Sequence, residues 1–249
     1  MQMFKDQDNH TTHEHSEGGV CRIPLTTDEA VHPPAEPPKM NDITWRIFRI
    51  MAEFVEGFQF LSEFKNEVTI FGSARSKPGN RWYKEARKFG NILAENGFTV
   101  ITGGGPGVME GANRGAMEKG GESIGLNIQL PMEQRINEYV KRGRGFHYFF
   151  TRKVMLAASA QAYVYFPGGF GTLDELFEMV TLIQTGKMQP IPIVLVGRDF
   201  WKPMIKWVET TLLEKEKTVS AKDIKILQVV DTAEEAFDLI KDSTERSFF

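Results

Sequence analysis

The sequence predicts an α/β fold: a doubly wound parallel sheet with helices on both faces, preceded by an N-terminal helical extension. Three observations carry that prediction. Short apolar runs alternate with helix-length amphipathic segments from Val68 to Ile240. Glycine-rich turns follow three of the runs, at Gly72-Ser73, Gly103-Gly104-Gly105 and Gly168-Gly169. A chain of 249 residues with 41% hydrophobic content is also long enough for one well-packed domain of this class.

Residues 1–39 are polar and end in Pro33-Pro34-Ala35-Glu36-Pro37-Pro38. That composition buries too little apolar surface to offset chain entropy, so it predicts a disordered or loosely attached tail. His10, His13 and His15 lie there without a rigid scaffold or a cysteine partner, and a solvated tail accounts for them better than a metal cluster. Residues 40–66 form a lead helix. Between Asn41 and Phe64 the residues Ile43, Ile47, Ile50, Phe54, Phe58 and Leu61 recur at three- and four-residue steps. Phe48, Met51, Val55 and Phe60 widen the stripe. Contact with a second subunit, and so a homodimer or higher homo-oligomer, explains that width as well as ordinary core packing does.

Residues 67–249 form the body. Val68–Phe71 is a strand, residues 81–96 a helix, and Phe98–Thr102 a second strand ending in the triple glycine. A helix continues to about Lys119, and Ser123–Asn127 is a third strand. Phe146–Phe149 reads as a short strand before a helix over Thr151–Ser159. Ala162–Phe166 leads into Pro167-Gly168-Gly169-Phe170-Gly171-Thr172-Leu173-Asp174-Glu175, whose helix starts at Thr172 and runs to about Gln184. A strand at Ile191–Val196, a helix near Phe200–Leu213, a strand at Ile226–Val230 and a helix at Ala233–Ile240 complete the body. No internal repeat is present.

Composition narrows the function. A formal charge of −3 argues against an extended nucleic-acid surface. The single cysteine, Cys21, excludes an internal disulfide framework and suits a reducing cytoplasm. No apolar run reaches membrane-spanning length, and no signal peptide is recognisable. Histidine chemistry in the body would rest on His147 alone. Packing roles are expected for His147 and Tyr148, and core positions for Phe149 and Phe150.

In an open parallel sheet, ligands bind outside the carboxyl ends of the strands, where strand order reverses. One glycine turn at such an end is ordinary; three point to a phosphate site. The common fingerprints are absent. Val108 and Glu110 break G-x-G-x-x-G after Gly103, and Gly186-Lys187-Met188 does not end a P-loop, so a dinucleotide dehydrogenase and a P-loop NTPase are both disfavoured. Glu175 has a structural reading, since Thr172-Leu173-Asp174-Glu175 matches a capping box. Against it stands Arg152, followed by Lys153, which begins the preceding helix near the same sheet edge and can orient a carboxylate or bind phosphate.

Arg152-Lys153, the Pro167–Glu175 stretch and Thr102-Gly103-Gly104-Gly105-Pro106-Gly107-Val108-Met109-Glu110 together resemble the Lonely Guy (LOG) family of cytokinin-activating phosphoribohydrolases, also labelled "possible lysine decarboxylase". The resemblance runs from about Val68 to Ile240. It implies a Rossmann-like sheet, commonly dimeric and sometimes hexameric, and hydrolysis of the N-glycosidic bond of a nucleoside 5′-monophosphate to free base and ribose 5-phosphate. It assigns catalysis to Arg152 and Glu175. Substrate contacts carry over to Glu133, Arg152, Lys153, Gly168, Gly169, Phe170, Gly171, Thr172, Leu173, Asp174 and Thr181, and the glycine turns add Gly72, Ser73, Gly104 and Gly105. No metal and no cofactor is implied. A pyridoxal-phosphate decarboxylase would need a Schiff-base lysine in a recognisable context, and none is seen. The competing reading is a non-catalytic carrier of a phosphorylated ligand, as in the related molybdenum-cofactor carriers.

Overall fold

The computed structural model describes residues 40–128 and 136–245. The expected tail over residues 1–39, with its histidines, lies outside the described residues, as does Glu133. The chain divides into two compact units, Met1–Arg49 and Ile50–Phe249. Helix α1 spans Met40–Leu61. Its described residues in the first unit leave Ile43, Trp45, Ile47 and Phe48 exposed.

The second unit is built on seven parallel strands: β1 (Glu67–Phe71), β2 (Thr99–Thr102), β3 (Ser123–Ile128), β4 (Arg142–Phe146), β5 (Ala162–Tyr165), β6 (Ile193–Val196) and β7 (Leu227–Val230). Their spatial order is β4-β3-β2-β1-β5-β6-β7. Strand order therefore reverses between β1 and β5, which pair in parallel from Val68 with Ala162 to Phe71 with Tyr165. Between the strands run α2 (Arg81–Glu95), α3 (Val108–Glu118), α4 (Phe149–Ala158), α5 (Phe170–Gln184), α6 (Arg198–Trp207), the short α7 (Ala221–Ile224) and α8 (Ala233–Ile240).

Both faces of the sheet are covered, which is why the central strands are continuous apolar runs. Side chains alternate between two cores. Phe71, Ile101, Ile124, Tyr163, Tyr165 and Leu195 enter one, and Val68, Ile70, Val100, Val164, Val194 and Val196 the other. Phe71 and Tyr165 stack at 5.0 Å across the β1–β5 junction. Among the described residues, no helix is long and apolar enough to cross a membrane.

Three local expectations change. The strand expected at Phe146–Phe149 is Arg142–Phe146, paired in register with Ile124–Ile128 of β3. Arg142-Gly143-Arg144-Gly145 carries no β signal. The segment is an edge strand whose arginines pair with acids on α1 and on the turn just after it, Arg144 with Glu56 and Arg142 with Glu63. In consequence α4 begins two residues early, and Phe149 and Phe150 are 59% and 47% exposed rather than core. The single helix expected near Phe200–Leu213 instead changes to a wider π-type turn over Val208–Lys215. There the Thr210 hydroxyl donates to the Lys206 carbonyl, a back-bond that loosens α-winding.

Candidate functional site

The carboxyl ends of β1, β2 and β5 adjoin at the reversal point, and their loops are stitched together. The Ser73 N–H donates to the Pro167 carbonyl at 3.1 Å, and the Val108 N–H donates to the Ser73 carbonyl at 3.0 Å. Gly107 permits this closure. Its φ is 75°, and a Cβ there would lie 2.3 Å from the Ser73 oxygen.

The second glycine loop is held by protein partners. Gly104 N–H donates to Thr102 Oγ1 at 2.9 Å, and its carbonyl accepts from the Asn137 N–H at 2.9 Å. Asn137 Nδ2 donates to the Gly105 carbonyl and to Asn113 Oδ1, which also accepts from the Thr102 hydroxyl. Thr102 and Asn113 are fully buried. Thus Gly104 and Gly105 sit in a rigid wall, while Gly103 beside them faces the site.

The third loop is open. Helix α5 starts at Phe170 with Gly169 as its N-cap, and no side chain caps it. Its first bond runs from the Leu173 N–H to the Gly169 carbonyl at 3.0 Å. The N–H groups of Phe170, Gly171 and Thr172 therefore have no helical acceptor and point outward, the arrangement that binds anions. A Cβ at Gly169 or Gly171 would meet nothing within 4 Å, so this end has room. Phe170 is 91% exposed. Because Thr172 is the third helical residue and not the N-cap, the capping box read from the sequence does not form. Its side chain folds back over Gly168 instead, where a Cβ would come within 2.1 Å of its hydroxyl.

One turn further along, Glu175 is 6% exposed. Its Oε2 has no hydrogen-bond partner among the described residues. Burial pushes its carboxyl up to about 7, with Glu178 and Asp174 adding to the rise and Lys153 and Arg152 opposing it. The Tyr165 hydroxyl donates to the Glu175 backbone carbonyl at 3.2 Å and ties that turn to β5. Arg152 enters from the first turn of α4. Its Nε donates to the Leu126 carbonyl at 2.8 Å, and a Cβ on Gly103 would lie 2.4 Å from its Nη2. Burial lowers the Arg152 guanidinium, and the nearby Glu175 charge works against that. The two side chains feel each other's charge without forming an ion pair.

Lys153 turns to Asp174, at 2.5 Å, and to Glu178, at 3.3 Å. Burial works to lower it, and those carboxylates with Glu175 outweigh the effect and hold it above its ordinary value. Lys153, Phe170, Asp174, Glu178 and Thr181 line one open groove of about 720 Å³ on the outer side of α5. The Thr181 hydroxyl donates to its own helix at Phe177, at 2.6 Å. It lies six residues beyond Glu175, roughly 9 Å along the helix, and the chain alone does not bring it to the loop ends. A separate cavity of about 310 Å³, lined by Lys65, Glu67 and Gln161, opens at the opposite ends of β1 and β5.

The residues Gly103 and Glu178 were missed in the sequence. Gly103 was hidden inside a cluster whose other members form the wall. Glu178 carried a usable signal, since it lies three residues beyond Glu175 and so on the same helical face.

An open helix N-terminus and a buried acid near an arginine thus lie at the switch point of a doubly wound parallel α/β sheet. Residues 109–240 match the family model described as "Possible lysine decarboxylase". The chain belongs to this family, the LOG family. It is 30% identical over 157 residues to the cytokinin riboside 5′-monophosphate phosphoribohydrolase LOG of Oryza sativa subsp. japonica, covering 61% of this chain and 64% of that protein. The match thus spans a little less than two thirds of the rice relative. A cytokinin riboside 5′-monophosphate phosphoribohydrolase of Rhodococcoides fascians is 23% identical over 168 residues, covering 64% of this chain and 85% of that one. Among solved structures, the molybdenum cofactor carrier protein of Chlamydomonas reinhardtii shares the fold at a TM-score of 0.54 and 23% identity, over 72% of this chain and 97% of that one. The molybdenum cofactor binding protein of Rippkaea orientalis does so at 0.52 and 21%, over 70% and 93%.

Proposed function

We propose that this chain hydrolyses the N-glycosidic bond of a nucleoside 5′-monophosphate, AMP or an N6-substituted AMP, and that it works as a homodimer or higher homo-oligomer. The observation that carries the reading is Glu175: a buried carboxyl that burial pushes up to about 7, set one turn behind an open helix N-terminus and near enough to Arg152 to feel its charge. The phosphate is assigned to the N–H groups of Phe170, Gly171 and Thr172, with Gly168 and Gly169 allowing it to come close. Gly72 and Ser73 form the neighbouring wall with Gly104 and Gly105.

Cleavage forms a bond from water oxygen to C1′ and breaks the bond from C1′ to the base nitrogen, which leaves with a proton. Positive charge builds on the ribose as the base departs. The ionised Glu175 stabilises that charge and takes a proton from the attacking water, and a value near 7 suits that work at neutral pH. Arg152 orients Glu175 and the departing base. Phosphate binding energy holds the reacting bond in place. Leu173, Asp174, Lys153, Thr181 and Glu133 complete the assigned substrate contacts, Asp174 by way of its pair with Lys153.

A carrier of a phosphorylated ligand would use the same helix N-terminus but gains nothing from a carboxyl kept buried and unpaired beside an arginine. Incubating the purified protein with AMP and with N6-isopentenyl AMP, and separating free base by chromatography, tests the reading. Release of base that is lost in Glu175→Gln, with nucleotide binding retained, is the expected result. Binding without release in the parent protein would favour the carrier.

A further inference from the structure

Glu53 lies on α1, outside the glycine loops, yet its carboxylate closes on a single point of the chain. It accepts from the N–H of His147 at 2.6 Å, from the N–H of Tyr148 at 3.3 Å and from the hydroxyl of Thr151 at 2.5 Å. That point is the entry to α4. The N-cap residue there, Tyr148, makes no side-chain cap bond of its own. The capping acceptor is therefore supplied by a different helix, in charge-assisted bonds and at the end of α4 that favours negative charge. Thr151 is followed directly by Arg152 and Lys153. The same part of α1, with the turn that follows it, is fastened to its neighbours. Glu56 and Glu63 pair with Arg144 and Arg142 of β4, and Gly57 is so close to α4 that a Cβ would lie 2.6 Å from Met155 Sδ.

We propose that Glu53 is a positioning residue for Arg152: by clamping His147, Tyr148 and Thr151 it sets the start of α4, and so the angle at which the guanidinium reaches Gly103 and the space in front of Glu175. The clamp also fills the N-terminus of α4 with a carboxylate of the chain itself, which leaves the N-terminus of α5 for a ligand anion. The proposal rests on the hydrolase reading given above. In that reading Arg152 acts on the departing base rather than on the phosphate, so loosening it affects turnover more than binding.

The test is a double-mutant cycle with AMP, followed by adenine release over hours. Glu53→Ala is expected to lower kcat about tenfold, a modest share of what a misplacement of about 1 Å costs, with KM changed less than about twofold. Glu53→Gln, which keeps one acceptor oxygen, is expected to lose less. In an Arg152→Ala background Glu53→Ala is expected to add nothing, because the group it positions is gone. Equal losses in both backgrounds, or a loss confined to KM, would overturn the proposal. If the parent protein releases no base, the hydrolase reading fails by itself, and hydrogen exchange then judges the clamp. Faster exchange in Glu53→Ala confined to residues 147–153 upholds it, and unchanged exchange there sinks it.

Discussion

Glu175 is a carboxyl with 6% exposure, an unpartnered oxygen and a protonation midpoint of about 7 against an ordinary 4.5. The folded state thus holds the proton more tightly than the unfolded chain does between those two values. The group costs nothing below about pH 4.5, destabilises progressively as pH rises, and reaches its full cost above about 7, of order 3 kcal/mol. Glu175→Gln is expected to unfold at higher temperature than the parent at pH 8 and at nearly the same temperature at pH 4.5, as read by thermal melts. Equal melting points at pH 8 would mean that the site already solvates the charge. Base release should move the opposite way in the parent, rising with pH through about 7 as the carboxylate forms. Gly103 is the second residue on which the site turns. Gly103→Ala would place a methyl 2.4 Å from Arg152 Nη2 and push the guanidinium out of its seat. A drop in kcat of at least about tenfold is expected, with little loss of stability, because the Cβ meets only the ends of the flexible Arg152 and Met109 side chains. Unaltered kinetics would show that Arg152 does not need that seat.

Helix α5 owes its character to its first turn. Gly169 and Gly171 leave the N-terminus bare where a capping side chain would have filled it, and the open space around them tolerates additions. Gly171→Asp is therefore expected to fold normally and to weaken nucleotide binding at least tenfold, since a local carboxylate would occupy the anion site. Calorimetry with AMP measures this, and unchanged affinity would move the phosphate elsewhere. The same helix marks the limit of local sequence rules. Thr172-Leu173-Asp174-Glu175 fits a capping box, but the chain begins the helix at Phe170 and spends the threonine on packing over Gly168. Helix α4 is a similar case. Phe149 and Phe150 look like core residues and are exposed, because the edge strand before them, rich in glycine and arginine, ends at Phe146. Edge strands and helix starts are settled by partners far away in sequence, here Glu53, Glu56 and Glu63, and local propensity carries no trace of them.

For the whole molecule, α1 from Ile50 onward serves as more than an appendage. Its Glu56, with Glu63 on the turn just after it, sets charged pairs on the β4 edge strand, a device that disfavours pairing with another chain. On α1, Phe48, Met51 and Val55 remain 54%, 55% and 67% exposed. If the expected homo-oligomer uses this stripe, Met51→Asp with Val55→Asp should shift light-scattering mass to a smaller species without loss of helical content. A parent protein that already runs as a monomer removes that expectation. The strand–helix alternation, the burial of both sheet faces, and the three glycine turns at strand ends were legible in the chain, because period and turn chemistry are local properties. The pairing of Arg152 with Glu175 was legible only as two residues in one α/β unit. Their charge coupling without an ion pair, the wall made by Asn113 and Asn137, the seat that Gly103 leaves, and the clamp from Glu53 came from the tertiary structure. Each depends on groups distant in sequence meeting in a low-dielectric interior, where burial sets both what a carboxyl can do and what holds it.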